Sequence, residues 1–164
     1  MGLREGIKKA KYEYSMFYAI DLPFGFDVIE DSIREIKNAD IIIGSKSHPS
    51  SRIKMNPKRK IFSYLYNKLL NIFFHLNIKD TQGSLIFKKS CTMKYIPRLD
   101  SSDAFLETQL IIYGKLSNLK IMEIPIELKQ NRHKSKIRPF RDGTKMFLQV
   151  LKEYCKFKRT KNNF

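Results

Sequence analysis

The side chains able to do chemistry in this 164-residue chain are three His, two Cys, 16 Asp+Glu and 32 Lys+Arg. Cys91 and Cys155 lie far apart with no metal-ligand spacing around either, which points to a reducing setting without a disulfide framework and argues against zinc. His75 and His133 show no ligand spacing to one another and read as surface or polar-stripe residues. The carboxylates remain. Taken alone, Asp21 in Asp21-Leu22-Pro23 is a strand-end turn residue. Asp80-Thr81-Gln82-Gly83 is a loop turn closed by glycine, Glu107 faces solvent from an apolar helix, and Ser135 is a loop hydroxyl. The formal net charge of +16 is the strongest bulk signal. A surface that basic draws nucleic acid, anionic lipid headgroups or phosphorylated small molecules, and charge alone does not choose among them.

Elements must position these groups, and the hydrophobic pattern proposes them. Apolar residues make up 42% of the chain, with 12 Phe and 8 Tyr, the composition of a folded domain. Leu3–Ala10 reads as a short basic helix and Tyr12–Asp21 as an aromatic strand stopped by Pro23. Asp27–Ile36 is a helix with Val28, Ile29, Ile33 and Ile36 inward. Asp40–Ser45 is a strand apolar enough to be covered on both faces. A basic loop, Lys46–Lys60, follows, with Pro49 and Pro57 as breakers. Strands are expected at Ser84–Phe87 and Leu119–Leu128, and helices at Asp103–Tyr113 and Asp142–Lys156. Met146, Phe147, Val150, Leu151 and Tyr154 form the inner stripe of the last helix. The alternation favours an α/β domain with a mainly parallel sheet.

Ile61–Leu76 stands apart. Its polar residues Ser63, Asn67, Asn71 and His75 recur every fourth position as one narrow stripe, and apolar residues cover the rest. Such a helix is either wholly buried or has a second apolar face against lipid or a partner. About 16 residues do not cross a bilayer, and no apolar run reaches the length that would. No signal-peptide pattern opens the sequence.

Read in order, the pieces resemble a known family. Gly2, Gly6 and Ile7 with Ala10-Lys11-Tyr12-Glu13-Tyr14 are similar to the helix and strand before the metal motif of family 2, GT-A type glycosyltransferases of the dolichyl- or polyprenyl-phosphate sugar synthase kind. Asp21-Leu22 falls where that family carries Asp-x-Asp-Leu, and Gly44-Ser45-Lys46 resembles its Gly-Ser-Arg. Arg59 and Ser63 match an Arg-x-x-x-Ser, and Asp80-Thr81-Gln82-Gly83 with Phe87 its Asp-Thr-Gln element. Phe105-x-Glu107 and Glu123-Ile124-Pro125-Ile126 resemble the Glu-bearing helix and the Glu-Val-Pro-Val strand. Arg132-His133-Lys134-Ser135-Lys136 is similar to the late Ser-Lys loop. Each piece is weak alone; seven in order span nearly the whole chain.

The resemblance implies a partial Rossmann-like GT-A sheet lacking its first βα units, with residues 1–158 as the C-terminal, acceptor-side part and 159–164 as a basic tail. It implies transfer of a hexose from a nucleotide sugar to a polyprenyl phosphate by a protein peripheral to the cytosolic face of a membrane. Asp21 and Glu107 are the implied catalytic carboxylates. Asp21 is also the implied ligand of a divalent cation, Mg2+ or Mn2+, that offsets charge on the departing diphosphate. An acceptor phosphate is already ionised at neutral pH, so cationic positioning matters more than a strong base. Lys46, Arg59 and Ser63 are the implied donors to it. Asp80, Gln82, Arg132, Ser135 and Lys136 are assigned to the donor diphosphate or the loop over it.

Three departures bear on this. Ala19 stands at the first Asp of the metal motif, and a methyl cannot ligate a cation. Lys46 in place of Arg keeps a point charge but not a bidentate fork. The units that hold base and ribose are not in this sequence. A truncated, split or non-catalytic homologue completed by a separate N-terminal chain is therefore an alternative. A basic nucleic-acid-binding protein is a further one. Against it, Lys and Arg are spread along the chain and no zinc-finger, helix-turn-helix or RNA-recognition signature appears.

Overall fold

The computed structural model describes residues 2–53, 56–129 and 139–161. In chain order the elements are α1 (Gly2–Lys9), β1 (Tyr14–Phe17), α2 (Asp27–Glu35), β2 (Ile41–Ser45), α3 (Pro57–Phe74), β3 (Ser84–Lys88) and α4 (Lys89–Thr92). A 3-10 turn (Met93–Arg98), α5 (Phe105–Leu116), β4 (Ile121–Pro125) and α6 (Pro139–Lys161) complete them. The domain is α/β, with a four-stranded open sheet of order β1-β3-β2-β4 between helices.

The sheet is mixed. β2 and β4 are parallel, with Ile43 opposite Glu123, but β3 is antiparallel to both of its neighbours. The expectation of a mainly parallel sheet is corrected here, and the reason is physical. The centre of β3, Leu85–Phe87, is apolar and buried on both faces, and such a run carries no mark of its direction.

Alternation along β2 divides the interior. Ile41 and Ile43 join a large core with α1, α3, α5 and α6, built on Leu70, Leu110, Ile111 and Val150. Ile42 faces the opposite way, into a smaller core under α2 with Val28, Ile86 and Ile124. The inner stripe of α2 is narrower than its sequence suggests. Ile33 is 58% exposed, while Ser32 is buried and donates its hydroxyl to Val28 O at 2.5 Å.

Helix α3 begins four residues earlier than its apolar pattern indicates. Asn56 caps it, accepting from Lys58 N at 3.0 Å, and Pro57 occupies the first turn, where a missing N–H costs nothing. Pro57 therefore starts the helix and does not break a loop. The two longest helices run side by side in the same direction: Phe62 lies against Gly143 and Phe73 against Tyr154, ring centroids 4.7 Å apart. Buried Glu153 fastens α6 to α5, accepting from Gln109 Nε2 at 2.8 Å and Tyr113 OH at 2.5 Å. The short α4 and the Pro97-containing turn after it were not evident in the sequence pattern.

Candidate functional site

Strand directions collect the candidate residues at one end of the sheet. β1 and β2 both finish there, and β3, running the other way, starts there: Phe17 pairs with Leu85 and Gly44 with Ser84. The turn after β1 holds Asp21, the residue after β2 is Lys46, and the segment before β3 is Asp80–Gly83. Two glycines make the meeting possible. A Cβ on Gly83 would fall 1.8 Å from Gly44 O, and one on Gly44 would fall 2.2 Å from Ser84 Oγ. Side chains at either place would push the two segments apart.

With the segments pressed together, Lys46 and Asp80 meet although they are 34 positions apart. Asp80 is buried, and its Oδ2 accepts from Lys46 N at 2.9 Å and lies 3.5 Å from Lys46 Nζ. Its Oδ1 accepts from Gln82 N at 3.0 Å, and the Lys46 ammonium donates to Gln82 O. Glu123 supports the loop from below. Its carboxylate accepts from Lys79 N at 3.0 Å and from Asp80 N at 3.1 Å, a clamp on two consecutive amides. The polar stripe of α3 holds the same loop from the side. Asn67 Nδ2 donates to Lys79 O at 2.7 Å and Asn71 Nδ2 to Ile78 O at 3.2 Å.

Glu107 projects from the first turn of α5 toward this cluster. Burial pushes its carboxyl up to about 7, with Lys46 pulling it down and Asp80 pushing it up. Among the described residues no hydrogen-bond donor reaches it. The next residue, Thr108, links a chain of hydroxyls: Tyr66 OH at 3.1 Å on one side and Thr81 Oγ1 at 3.1 Å on the other. Burial raises the Tyr66 phenol far above its usual value, so it stays protonated as part of that chain.

The other expected residues take their places less tightly. Ser63 is half-buried one turn before Asn67 on the inward stripe, and Arg59 is exposed in the first turn of α3. Asp21 is exposed in a turn organised by Tyr18, whose hydroxyl accepts from Phe24 N and donates to Gly25 O, each at 2.9 Å. Lys129 N donates to Pro23 O at 2.9 Å and ties that turn to the segment after β4. Asp21 follows β1 and Lys46 follows β2, and β3 separates those two strands by two strand spacings, about 10 Å. Arg132, Ser135 and Lys136 lie outside the described residues. Among the described residues no three His, Cys, Asp or Glu side chains are grouped as a cation site would need. Residue 19 is Ala, so a cation at Asp21 would take one protein carboxylate and draw its other oxygens from a diphosphate and water, a set that suits Mg2+.

Sequence reasoning gave Glu123 no role of its own beyond a strand motif, and it overlooked Thr108 and Tyr66. A carboxylate in the middle of a strand otherwise apolar was the available signal for the first; nothing in spacing announced the other two.

No family model matches the chain. In an alignment of 164 residues covering 90% of the chain, it is 26% identical to the dolichyl-phosphate beta-glucosyltransferase of Saccharomyces cerevisiae. The chain spans 46% of that protein, about half the length of the relative it matches. The likeness supports a glycosyltransferase relationship, consistent in part with the order of motifs in the sequence.

Proposed function

We infer that this chain is the acceptor-side part of a glycosyltransferase that moves a hexose from a nucleotide sugar to a polyprenyl, dolichyl-type phosphate. The observation that carries the reading is the meeting of Lys46, Asp80 and Gln82 with Glu107 at one end of the sheet. The curated relative, named for transfer to dolichyl phosphate, supports the choice of acceptor.

In this reading an acceptor phosphate oxygen attacks the anomeric carbon as the bond to the departing diphosphate breaks. The Lys46 ammonium has three protons; Asp80 and Gln82 engage two, and the third is directed to the acceptor phosphate. Ser63 and Arg59 extend that contact along α3. Glu107, half-protonated near neutrality, donates a hydrogen bond when protonated and repels a second anion when not. Asp21 would hold a divalent cation, Mg2+ or Mn2+, through its one carboxylate, and the cation would supply charge neutralisation for the leaving diphosphate. Arg132, Ser135 and Lys136 belong to the donor side. No helix among the described residues is long and apolar enough to cross a membrane; a peripheral position on the cytosolic face, where nucleotide sugars are supplied, fits the reading.

Ala19, at the position of the metal motif's first Asp, favours a second reading: a non-catalytic glycosyltransferase homologue. One experiment separates the two. The purified chain is incubated with a radiolabelled nucleoside-diphosphate hexose and a polyprenyl phosphate, with and without Mg2+ or Mn2+, and label is followed into the lipid fraction. Turnover that Glu107→Gln lowers at least tenfold is expected for the first reading. Wild-type chain giving no labelled lipid with either glucose or mannose donors leaves the second.

A further inference from the structure

The hydroxyls of Tyr66, Thr108 and Thr81 form a chain whose protons can be counted. Thr108 Oγ1 stands 3.1 Å from Tyr66 OH and 3.1 Å from Thr81 Oγ1. Three hydroxyls carry three protons, and two hydrogen bonds use two of them. Among the described residues no further acceptor is bonded to any of the three. Thr108, in the middle, donates to one neighbour and accepts from the other. The chain therefore has a direction, and the third proton emerges at one end.

The two ends differ. Thr81 is 2% exposed and its bond to Thr108 is buried, whereas Tyr66 and its bond to Thr108 are only partly buried. A hydroxyl proton left without an acceptor in the interior is costly, while at the open end it can meet a partner from outside. The chain accordingly runs from Thr81 through Thr108 to Tyr66, and the phenol is its terminal donor.

Helix α3 sets where that proton goes. Arg59, Ser63 and Tyr66 follow one another at spacings of four and three, which puts side chains on one face of a helix. Along the axis the steps are about 6 Å and about 4.5 Å. Among the described residues neither Arg59 nor Ser63 has a side-chain hydrogen bond or an ion pair. The carboxylates of Asp103 and Glu107 act on Tyr66 through space, without a hydrogen bond to it. Three donors on one face with no acceptor of their own suit an oxyanion, and a phosphate monoester offers several terminal oxygens in a small space.

We propose that Tyr66 is a third donor to the acceptor's phosphate, beside Ser63 and Arg59, and that Thr108 is the positioning residue that turns its proton outward. The inference rests on the reading above for the identity of the anion. It adds a link between the two halves of the site. Thr81, at the inner end of the chain, stands between Asp80 and Gln82, so the loop that engages Lys46 also holds the donor on α3.

The test is calorimetric titration of the full chain with geranyl monophosphate, a short prenyl phosphate, without any sugar donor. The wild type is expected to bind it, and Tyr66→Phe to bind about tenfold more weakly, the loss of one hydrogen bond to a charged group. Thr108→Val should fall between them and Thr108→Ser should restore the wild-type affinity. Tyr66→Phe combined with Thr108→Val should bind no worse than Tyr66→Phe alone, since the threonine acts through the phenol. Tyr64→Phe, which removes an exposed hydroxyl elsewhere on α3, should change nothing. Circular dichroism checks folding, and the 13Cζ resonance of Tyr66 in the unsubstituted chain, expected to move as the phosphate is added, needs no variant. Inorganic phosphate with the same dependence on Tyr66 supports the proposal and marks the phosphate group as what the phenol contacts. Wild-type affinity in Tyr66→Phe, losses that add in the double variant, or a Tyr66 resonance indifferent to the phosphate overturns it and leaves the transfer reading in place. A wild-type chain that binds neither phosphate overturns it together with the roles of Ser63 and Arg59.

Discussion

The two faces of the sheet obey opposite rules. Under α2 the interior is small and apolar, and the helix turns Glu30 and Arg34, about 70% exposed, to solvent. Across the sheet the interior holds Asn67, Asp80, Thr81, Thr108 and Glu153 among its apolar residues, and α3 and α6 show isoleucine, leucine and phenylalanine to the outside. The first arrangement is what burial of apolar area produces when nothing else is asked of it. The second sets polar groups inside, where each needs a partner, and leaves apolar area in water. That is an arrangement expected of a face with work to do, and the candidate site belongs to it.

Substitutions can break this contrast at graded cost. The largest effect is expected from Lys46→Met, which strips buried Asp80 of its cation while the backbone bonds remain. A loss of about 3 kcal/mol in urea unfolding is expected, against less than about 1 kcal/mol for Ser32→Ala under α2. Asn67→Leu comes next, because the partly buried Lys79 O loses its donor; about 1–2 kcal/mol is expected by the same measurement.

Acidity sharpens the comparison further. Glu107 has its proton affinity raised by folding, from an ordinary 4.5 to about 7. Between those values the native state binds more protons than the unfolded chain, so stability falls as pH rises through the interval. The fall is on the order of 1–3 kcal/mol, and Glu107→Gln should remove it, as unfolding curves of both proteins from pH 4.5 to 7.5 would reveal. Asp100 and Asp103 act in the opposite sense. Hydrogen bonds from Lys156 and Gln109, for Asp100, and from Lys145, Ser101, Gln149 and the Phe105 amide, for Asp103, lower their affinity for protons despite partial burial. The stability they lend is present above their ordinary range and disappears as pH falls below it. A flat profile in wild type between pH 4.5 and 7 would sink the placement of Glu107 in a recess that withdraws it from water, beside Lys46 and Asp80. The smallest stability changes belong to Leu65→Glu and Ile33→Glu, both exposed and both within about 0.5 kcal/mol in urea unfolding.

Much of this organisation is legible in the sequence, element by element. Helices and strands overlap the segments that periodicity marks, because amphipathic spacing is a local property, although β1 and β4 are shorter than expected, Tyr14–Phe17 within Tyr12–Asp21 and Ile121–Pro125 within Leu119–Leu128. What escapes is relational. The reversal of β3 is invisible in an all-apolar run. Asn56-Pro57 was a helix start overlooked in favour of proline as a breaker. Spacing places Ile33 and Phe147 inward, and tertiary packing instead buries Ser32 and Glu153, while Val150 is buried as expected. The site divides the same way. Lys46, Asp80, Gln82 and Glu107 could be singled out by resemblance, but their meeting depends on the close passage of two glycines and on Glu123, 43 residues beyond Asp80, holding its amide.

That close passage has one more consequence. Gly44 and Gly83 touch through main chain, and the Asp80 carboxylate fastens the amides of residues 46 and 82 beside them. The side chains at 46 and 82 are thus like heads on a fixed mount, of which Asp80 is a part. Altering either head retunes charge and reach, whereas one added methyl group at position 83 would move the mount itself.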